Sequence, residues 1–118
     1  MIERYTEGAK RALAIAQEKA VEYKHNYVGT EHLLLGLVEE EKSVSARALL
    51  ALGVEGKALE QEVLRAVGKG THSGGQLQMT PRTKHVLDLA QQAANGRGHN
   101  YIGTEHILLG LLYDGGGV

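Results

Sequence analysis

The sequence has no cysteine, no tryptophan and no phenylalanine, and only one proline. Without cysteine there is no disulfide framework, no thiolate nucleophile and no Cys-based metal site, an arrangement that fits a reducing compartment. With five tyrosines as the only aromatics, the core has to be built from Leu, Val, Ile and Ala. One proline in 118 residues leaves long Ala/Leu/Glu/Lys/Gln segments unbroken, which favours helix over sheet. There is no excess of either charge: 13 basic against 14 acidic residues give a net charge of −1. That balance speaks against a nucleic-acid footprint, which needs a basic excess on one face. No apolar run approaches the roughly 20 residues that span a bilayer. The start, Met1-Ile2-Glu3-Arg4, lacks the charged-then-apolar pattern of a secretory signal. The expectation is a cytoplasmic protein with no membrane and no nucleic acid among its partners. At 42% hydrophobic residues the chain can pack one core, so a single domain over residues 1–118 is expected.

The dominant feature present is a repeat. His25-Asn26-Tyr27-Val28-Gly29-Thr30-Glu31-His32-Leu33-Leu34-Leu35-Gly36-Leu37-Val38 returns 74 positions later as His99-Asn100-Tyr101-Ile102-Gly103-Thr104-Glu105-His106-Ile107-Leu108-Leu109-Gly110-Leu111-Leu112. Eleven of these fourteen positions are identical and the other three exchange one aliphatic for another. A fainter echo upstream keeps the register: Thr6/Thr80, Lys10/Lys84, Leu13/Leu87, Ala16/Ala90, Gln17/Gln91 and Ala20/Ala94. Two long copies suit two pseudo-symmetric halves around one core rather than an open solenoid, which needs three or more units.

Periodicity and caps predict four helices in the first copy. Thr6 caps a helix over about 7–23 that carries Ala9, Leu13, Ala16 and Ala20 at helical spacing. Residues 24–28 form a loop, and Thr30 caps a second helix over about 31–40, with Glu31 in its first turn. Ser43 caps a third over 44–52, ended by Gly53, and a fourth runs over 56–67 to Gly68. Residues 70–78, with three Gly and one Ser, read as an exposed linker. The second copy restarts with Thr80 as cap and Pro81 at the first helical position, breaks near Asn95-Gly96, and resumes after Thr104. The expected layout is all-α: repeat one over 1–69, a linker over 70–78, and a partial repeat two over 79–118, truncated after its second helix. Val44, Ala48, Leu49 and Leu52, with Leu59, Val63 and Val67, are expected to bury against the preceding helices. Repeat two has only Val118 in the corresponding stretch. Its face of Leu87, Ile107, Leu108 and Leu111 is therefore expected to be under-covered, leaving the chain either less stable than a version extended by about 25 residues or prone to self-association.

The paired Gly-Thr-Glu-His-x-Leu-Leu-Gly-Leu segments, together with Arg4-Tyr5-Thr6-Glu7 and Met79-Thr80-Pro81-Arg82, resemble the Clp N-domain of ClpC-type unfolding ATPases. Tyr5 and Met79 stand where that family commonly has Phe. The resemblance implies a pseudo-two-fold duplicated four-helix fold, of eight helices when complete. It implies a module that docks protein substrates and adaptor proteins onto a Clp ATPase and protease assembly. For ClpC-like members it further implies recognition of phosphoarginine. No Gly-x-x-x-x-Gly-Lys-[Ser/Thr] loop is present, so the chain itself is expected to need no nucleotide or other cofactor. The other reading is a stand-alone accessory protein that docks on a Clp complex without reading a mark.

Phosphoarginine needs an anion site for its phosphate and a carboxylate for its guanidinium. Glu31 and Glu105 can pair with a guanidinium through charge-assisted hydrogen bonds, or can simply complement the helix dipole. Thr6 and Thr80 begin helices whose free N–H groups suit a phosphate, beyond plain capping. Arg4, Lys10 and Lys84 are secondary candidates for screening it, although most such residues are solvated surface. The resemblance pairs Glu31 with Thr6 and Glu105 with Thr80. His25, His32, His99 and His106 also repeat, but their spacing matches no zinc pattern, and a structural hydrogen-bonding role is expected. No nucleophile–base–orienter set stands out, so no enzyme is expected.

Overall fold

The computed structural model describes residues 4–74 and 77–115. The readings made on Met1-Ile2-Glu3 and Val118, and on Gly75 and Gln76 of the linker, fall outside the described residues. Among the described residues there are six helices and no strand: α1 (Glu7–Glu22), α2 (Thr30–Glu39), α3 (Val44–Ala51), α4 (Gly56–Val67), α5 (Pro81–Gly96) and α6 (Thr104–Asp114). Thr6, Ser43 and Thr80 cap α1, α3 and α5 by accepting from the backbone N–H three residues on.

The helix pairs α1/α2 and α5/α6 carry the two copies, and their facing sides make one core. It contains Ala9 and Ala12 of α1, Leu33 and Leu37 of α2, Val86, Ala90 and Ala94 of α5, and Ile107 and Leu111 of α6. The buried stripe of α1 is Ala9, Ala12, Ala16 and Ala20, with Leu13 only half-buried. The expected Leu13 gives way to Ala12 because α2 approaches there at backbone distance. A Cβ on Gly36 would fall well inside van der Waals contact distance of the Ala12 carbonyl oxygen. The second copy repeats the contact: a Cβ on Gly110 would stand 2.5 Å from the Val86 carbonyl oxygen. The glycine of each Leu-Leu-Gly-Leu segment is therefore a contact residue, and the partner helix has to be small or flat where it meets it.

The two copies are joined crosswise. Thr6 N–H donates to the Ile102 carbonyl (3.0 Å) and Ile102 N–H to the Arg4 carbonyl (2.8 Å). Reciprocally, Val28 N–H donates to Gln78 (2.9 Å) and Thr80 N–H to Val28 (3.1 Å). These are two isolated parallel bridges, Tyr5 to Ile102 and Val28 to Met79. Such reciprocity is what a two-fold relation between the halves produces.

Three expectations are corrected. The stretch over 70–78 is not simply exposed: Gly70 and His72 hydrogen-bond to the Tyr23 and Lys24 carbonyls, and Leu77 is buried with Ala16, Ala20 and Val28. The third helix buries little of its expected apolar face. Val44, Ala48 and Leu52 are exposed and Leu49 is half-buried, while Ser45 and Ala46 face inward instead. Val67 is also exposed, while Val63 packs on Tyr23 and Leu35. In the second copy Ile107 and Leu111 are buried and Leu87 and Leu108 half-buried, so the shared core covers them. The open part of that face lies further along α6. Leu112 is 65% exposed, whereas its counterpart Val38, covered by the following helices, is 9% exposed.

Gly36→Ala should lower the melting temperature. The gain in helix propensity, about 1 kcal/mol, is outweighed by overpacking at a backbone contact, about 1–3 kcal/mol. Gly96→Ala, at a helix end with nothing within 4 Å of the added Cβ, should be neutral or stabilising. Thermal melts of the two variants showing equal shifts would contradict the close-approach role of Gly36.

Candidate functional site

Each copy carries its Glu at the start of a helix that no Ser or Thr side chain caps. Gly29 and Gly103 are the N-cap residues of α2 and α6, so Thr30 and Thr104 lie inside the helices, a correction to the expected caps. The cap is closed by histidine. Gly29 N–H donates to His32 Nδ1 (2.9 Å), and Gly103 N–H donates to His106 Nδ1 (2.9 Å).

A backbone N–H can only donate, so Nδ1 of His32 is unprotonated and its proton sits on Nε2. That proton points at His25 Nδ1, 2.7 Å away, which leaves His25 to donate from Nε2 to the Gly68 carbonyl, also at 2.7 Å. The relay thus ties the start of α2 to the end of α4. In the second copy His106 Nε2 meets His99 Nδ1 at 2.8 Å. Tyr27 stacks on His25, and Tyr101 stacks on His99. The repeated histidines have the structural role expected for them.

The relay positions the loop beside each Glu. The Glu31 carboxylate folds back over Gly29 and accepts from Tyr27 Oη at 2.9 Å. Burial, and then this hydrogen bond to a carboxylate, push the Tyr27 hydroxyl up to about 12. The Glu105 carboxylate takes the matching place over Gly103. Both glutamates stay partly accessible.

The crossed bridges decide which helix start each Glu accompanies. Thr80, at the start of α5, hydrogen-bonds to Val28, three residues before Glu31. Thr6, at the start of α1, hydrogen-bonds to Ile102, three residues before Glu105. The backbone therefore sets Glu31 with Thr80 and Glu105 with Thr6, the reverse of the within-copy pairing read from the resemblance. The reversal is invisible to spacing, because either pairing preserves the repeat.

The secondary candidates separate. Arg4 is spent on the second copy, donating to Asn95 Oδ1 (2.8 Å) and to the His99 and Asn100 carbonyls (3.3 and 3.4 Å). Lys10 is paired with Glu7 at 3.2 Å, in the first turn of α1. Lys84 stands exposed one turn into α5, whose first turn has no acidic residue. Sequence reasoning missed the tyrosines of the site, although Tyr27 and Tyr101 lie inside the duplicated segment.

The family described as the Clp repeat (R) N-terminal domain matches residues 4–118. This chain belongs to the Clp N-domain family. The whole chain is 48% identical to part of the chaperone protein ClpB of Oceanobacillus iheyensis. It is 47% identical to part of the negative regulator of genetic competence ClpC/MecB of Bacillus subtilis. It spans 15% of the length of each of these relatives. Among solved structures, the N-terminal domain of ClpD from Arabidopsis thaliana superposes with a TM-score of 0.80 at 29% identity, over 94% of this chain and 78% of that one. Among the described residues, no helix of this Clp N-domain is long and apolar enough to cross a membrane.

The buried imidazoles lead us to expect that this Clp N-domain loses stability in acid. Burial holds the His32 pKa down to about 4; the Glu31 carboxylate opposes this and His25 reinforces it. Burial also lowers His106. Because the folded pKa lies below the free value of 6.5, the unfolded chain takes up protons that the fold refuses. The contribution is fully present above about pH 6.5 and is lost as pH falls from there towards about 4. Glu60, held below its ordinary value by Lys19 and Tyr23, adds a further loss only below 4.5. Melting temperatures should thus fall between pH 6.5 and 4.5. His32→Asn, which retains an acceptor for Gly29 without a titrating ring, should show a shallower fall. Parallel pH profiles would exclude His32 as the source.

Proposed function

We propose that this Clp N-domain is a non-catalytic substrate- and adaptor-recognition module of a Clp-type ATP-dependent unfolding or degradation machine, and that it binds phosphoarginine at two crossed sites. One site uses Thr80, Lys84 and Glu31, and the other uses Thr6 and Glu105. A cytoplasmic setting goes with this reading. The observation that supports it most is the reciprocal backbone pairing. It sets a helix start, with its partial positive charge, beside a loop that carries an accessible carboxylate, and it does so twice. The helix start suits a phosphate and the carboxylate suits a guanidinium. The two sites differ in charge. Glu7 lies in the first turn of α1 and neutralises Lys10, whereas α5 begins with Pro81 and keeps Lys84 free of such a neighbour. The site at Thr80 is the stronger one on this reading. The likeness to ClpC/MecB and ClpB chains supports the wider assignment to a Clp machine.

Titration calorimetry with free phosphoarginine tests the reading. Two sites of unequal affinity are expected, both weakened by salt. Glu31→Ala with Glu105→Ala should abolish the heat, and equal heats from this variant and the unsubstituted chain would refute the assignment. The crossed geometry adds a sharper test. Combining Glu31→Ala with Thr80→Ala should remove one site only, while Glu31→Ala with Thr6→Ala should damage both.

Arg4 and Lys84 should behave oppositely. Arg4→Ala loses three hydrogen bonds between the copies, each worth about 1 kcal/mol, and should lower the melting temperature. Lys84→Ala should weaken phosphoarginine binding with little change in melting. Melts and titrations on both variants check this.

A further inference from the structure

A groove of about 810 Å³ opens on the far side of repeat one, between the end of α2, α3 and the start of α4. One wall is apolar: Val38, Ala46, Val54 and the side chain of Leu50, which is 62% exposed. Leu50 and the C-cap residue Leu52 are the most exposed aliphatic residues at α3, a helix that buries only Ser45 and Ala46. An exposed aliphatic residue bordering a concave apolar surface is a feature of recognition sites rather than of solvated helix faces.

The other wall is acidic. Lys19 Nζ lies 2.8 Å from Glu60, 3.4 Å from Glu39 and 3.6 Å from Glu22, so three carboxylates share one ammonium. Tyr23 also donates to Glu60, which occupies a lone pair but adds no charge. Burial works against the Lys19 charge, and the carboxylates override it, so the ammonium stays charged and its pKa is raised. Elsewhere on the rim Glu41 and Glu55 are balanced by Arg47 and Lys57. Glu39 and Glu60 remain against Lys19 alone, so the groove keeps an excess of one carboxylate beside an apolar wall, with Glu22 adding a further negative charge just outside it.

We propose that this groove is a second docking site, for an unmodified polypeptide segment that places an aliphatic side chain next to an arginine or lysine. The aliphatic group covers Leu50 and Val54, and the cation joins the carboxylates around Lys19. This chemistry is opposite in sign to that of the phosphate-binding helix starts, and the site shares no residue with them. The proposal therefore stands or falls independently of phosphoarginine binding.

The test uses the 118-residue chain and three dye-labelled synthetic peptides with alternating Leu-Arg, Leu-Glu or Ser-Arg cores, read by fluorescence anisotropy. The Leu-Arg peptide should bind, more weakly at high salt, and the other two should bind at least about tenfold more weakly. Leu50→Gln, at an exposed position, should weaken the Leu-Arg peptide by about tenfold and leave the melting temperature unchanged, and Glu55→Gln, which removes a rim carboxylate, should weaken it less. Glu31→Ala with Glu105→Ala should leave it unchanged, and Leu50→Gln should leave phosphoarginine heats unchanged. The proposal is overturned if the Leu-Arg peptide does not bind, if the Leu-Glu peptide binds equally, or if Leu50→Gln has no effect on it. It is equally overturned if sedimentation shows that Leu50→Gln acts only by dissolving a self-associated form, since the occupant would then be a second copy of the chain.

Discussion

The approach of α2 to α1 at Gly36, and of α6 to α5 at Gly110, is the constraint on which the rest of the structure depends. At each crossing the missing Cβ lets one helix rest on a carbonyl of the other, Ala12 in the first copy and Val86 in the second. Backbone contact of this kind leaves no room for large residues on the inner stripe of α1, and Ala9, Ala12, Ala16 and Ala20 occupy it. The larger aliphatic residues are displaced to the line where the two helix pairs meet: Leu33 and Leu37 from one side, Ile107 and Leu111 from the other. Tight pairs are thereby joined by a thicker seam of branched side chains. A core with no Phe or Trp reaches ordinary packing in this way, by shortening distances rather than enlarging side chains.

The seam fixes the relation between the copies, and with it the candidate sites. With two like pairs packed face to face, the segment that leads into α1 passes the α6 side, and the segment that leads into α5 passes the α2 side. The bridges at Ile102 and Val28 satisfy backbone groups that would otherwise be stranded at buried helix ends. Setting Glu31 with Thr80 and Glu105 with Thr6 follows from that geometry. A ligand held at either place touches both copies. Loss of the seam would therefore part each helix start from the Glu-bearing loop beside it.

Much of this was legible in the sequence. The six helices lie within a residue or two of the cap and breaker signals, because Thr6, Ser43, Thr80 and Pro81 are local devices acting on their own backbone. Three matters were not legible, and each depends on a distant neighbour. Leu13 has the spacing of a core residue, and only the approach of Gly36 shows that Ala12 takes its place. Thr30 has the chemistry of a cap, but His32, held from its other nitrogen by His25, reaches the Gly29 N–H instead. The partner of each Glu lies in the other copy, and a repeat read along the chain is symmetric with respect to that choice. The third helix is a further departure. Its apolar residues follow a buried pattern, yet only Ser45 and Ala46 are buried, because α3 meets α2 and the Thr104 hydroxyl of α6 through its short residues.

That departure separates two kinds of surface on one small fold. Around the starts of α1 and α5 the backbone supplies positive potential, fixed by the caps and independent of side-chain charge. Around Lys19 the potential comes from side chains, three carboxylates against one ammonium, beside aliphatic groups that the fold does not need. The first surface is coupled to the seam between the copies. The second belongs to repeat one alone, since α3 and α4 line it. The histidine relay is the link between them. It runs from the cap of α2, beside Glu31, through His32 and His25 to the Gly68 carbonyl at the end of α4. Each bond in the relay fixes the tautomer of the next, so the position of α4 and the loop that carries Glu31 are set together. Protonating either ring would place two donors face to face and break that joint setting.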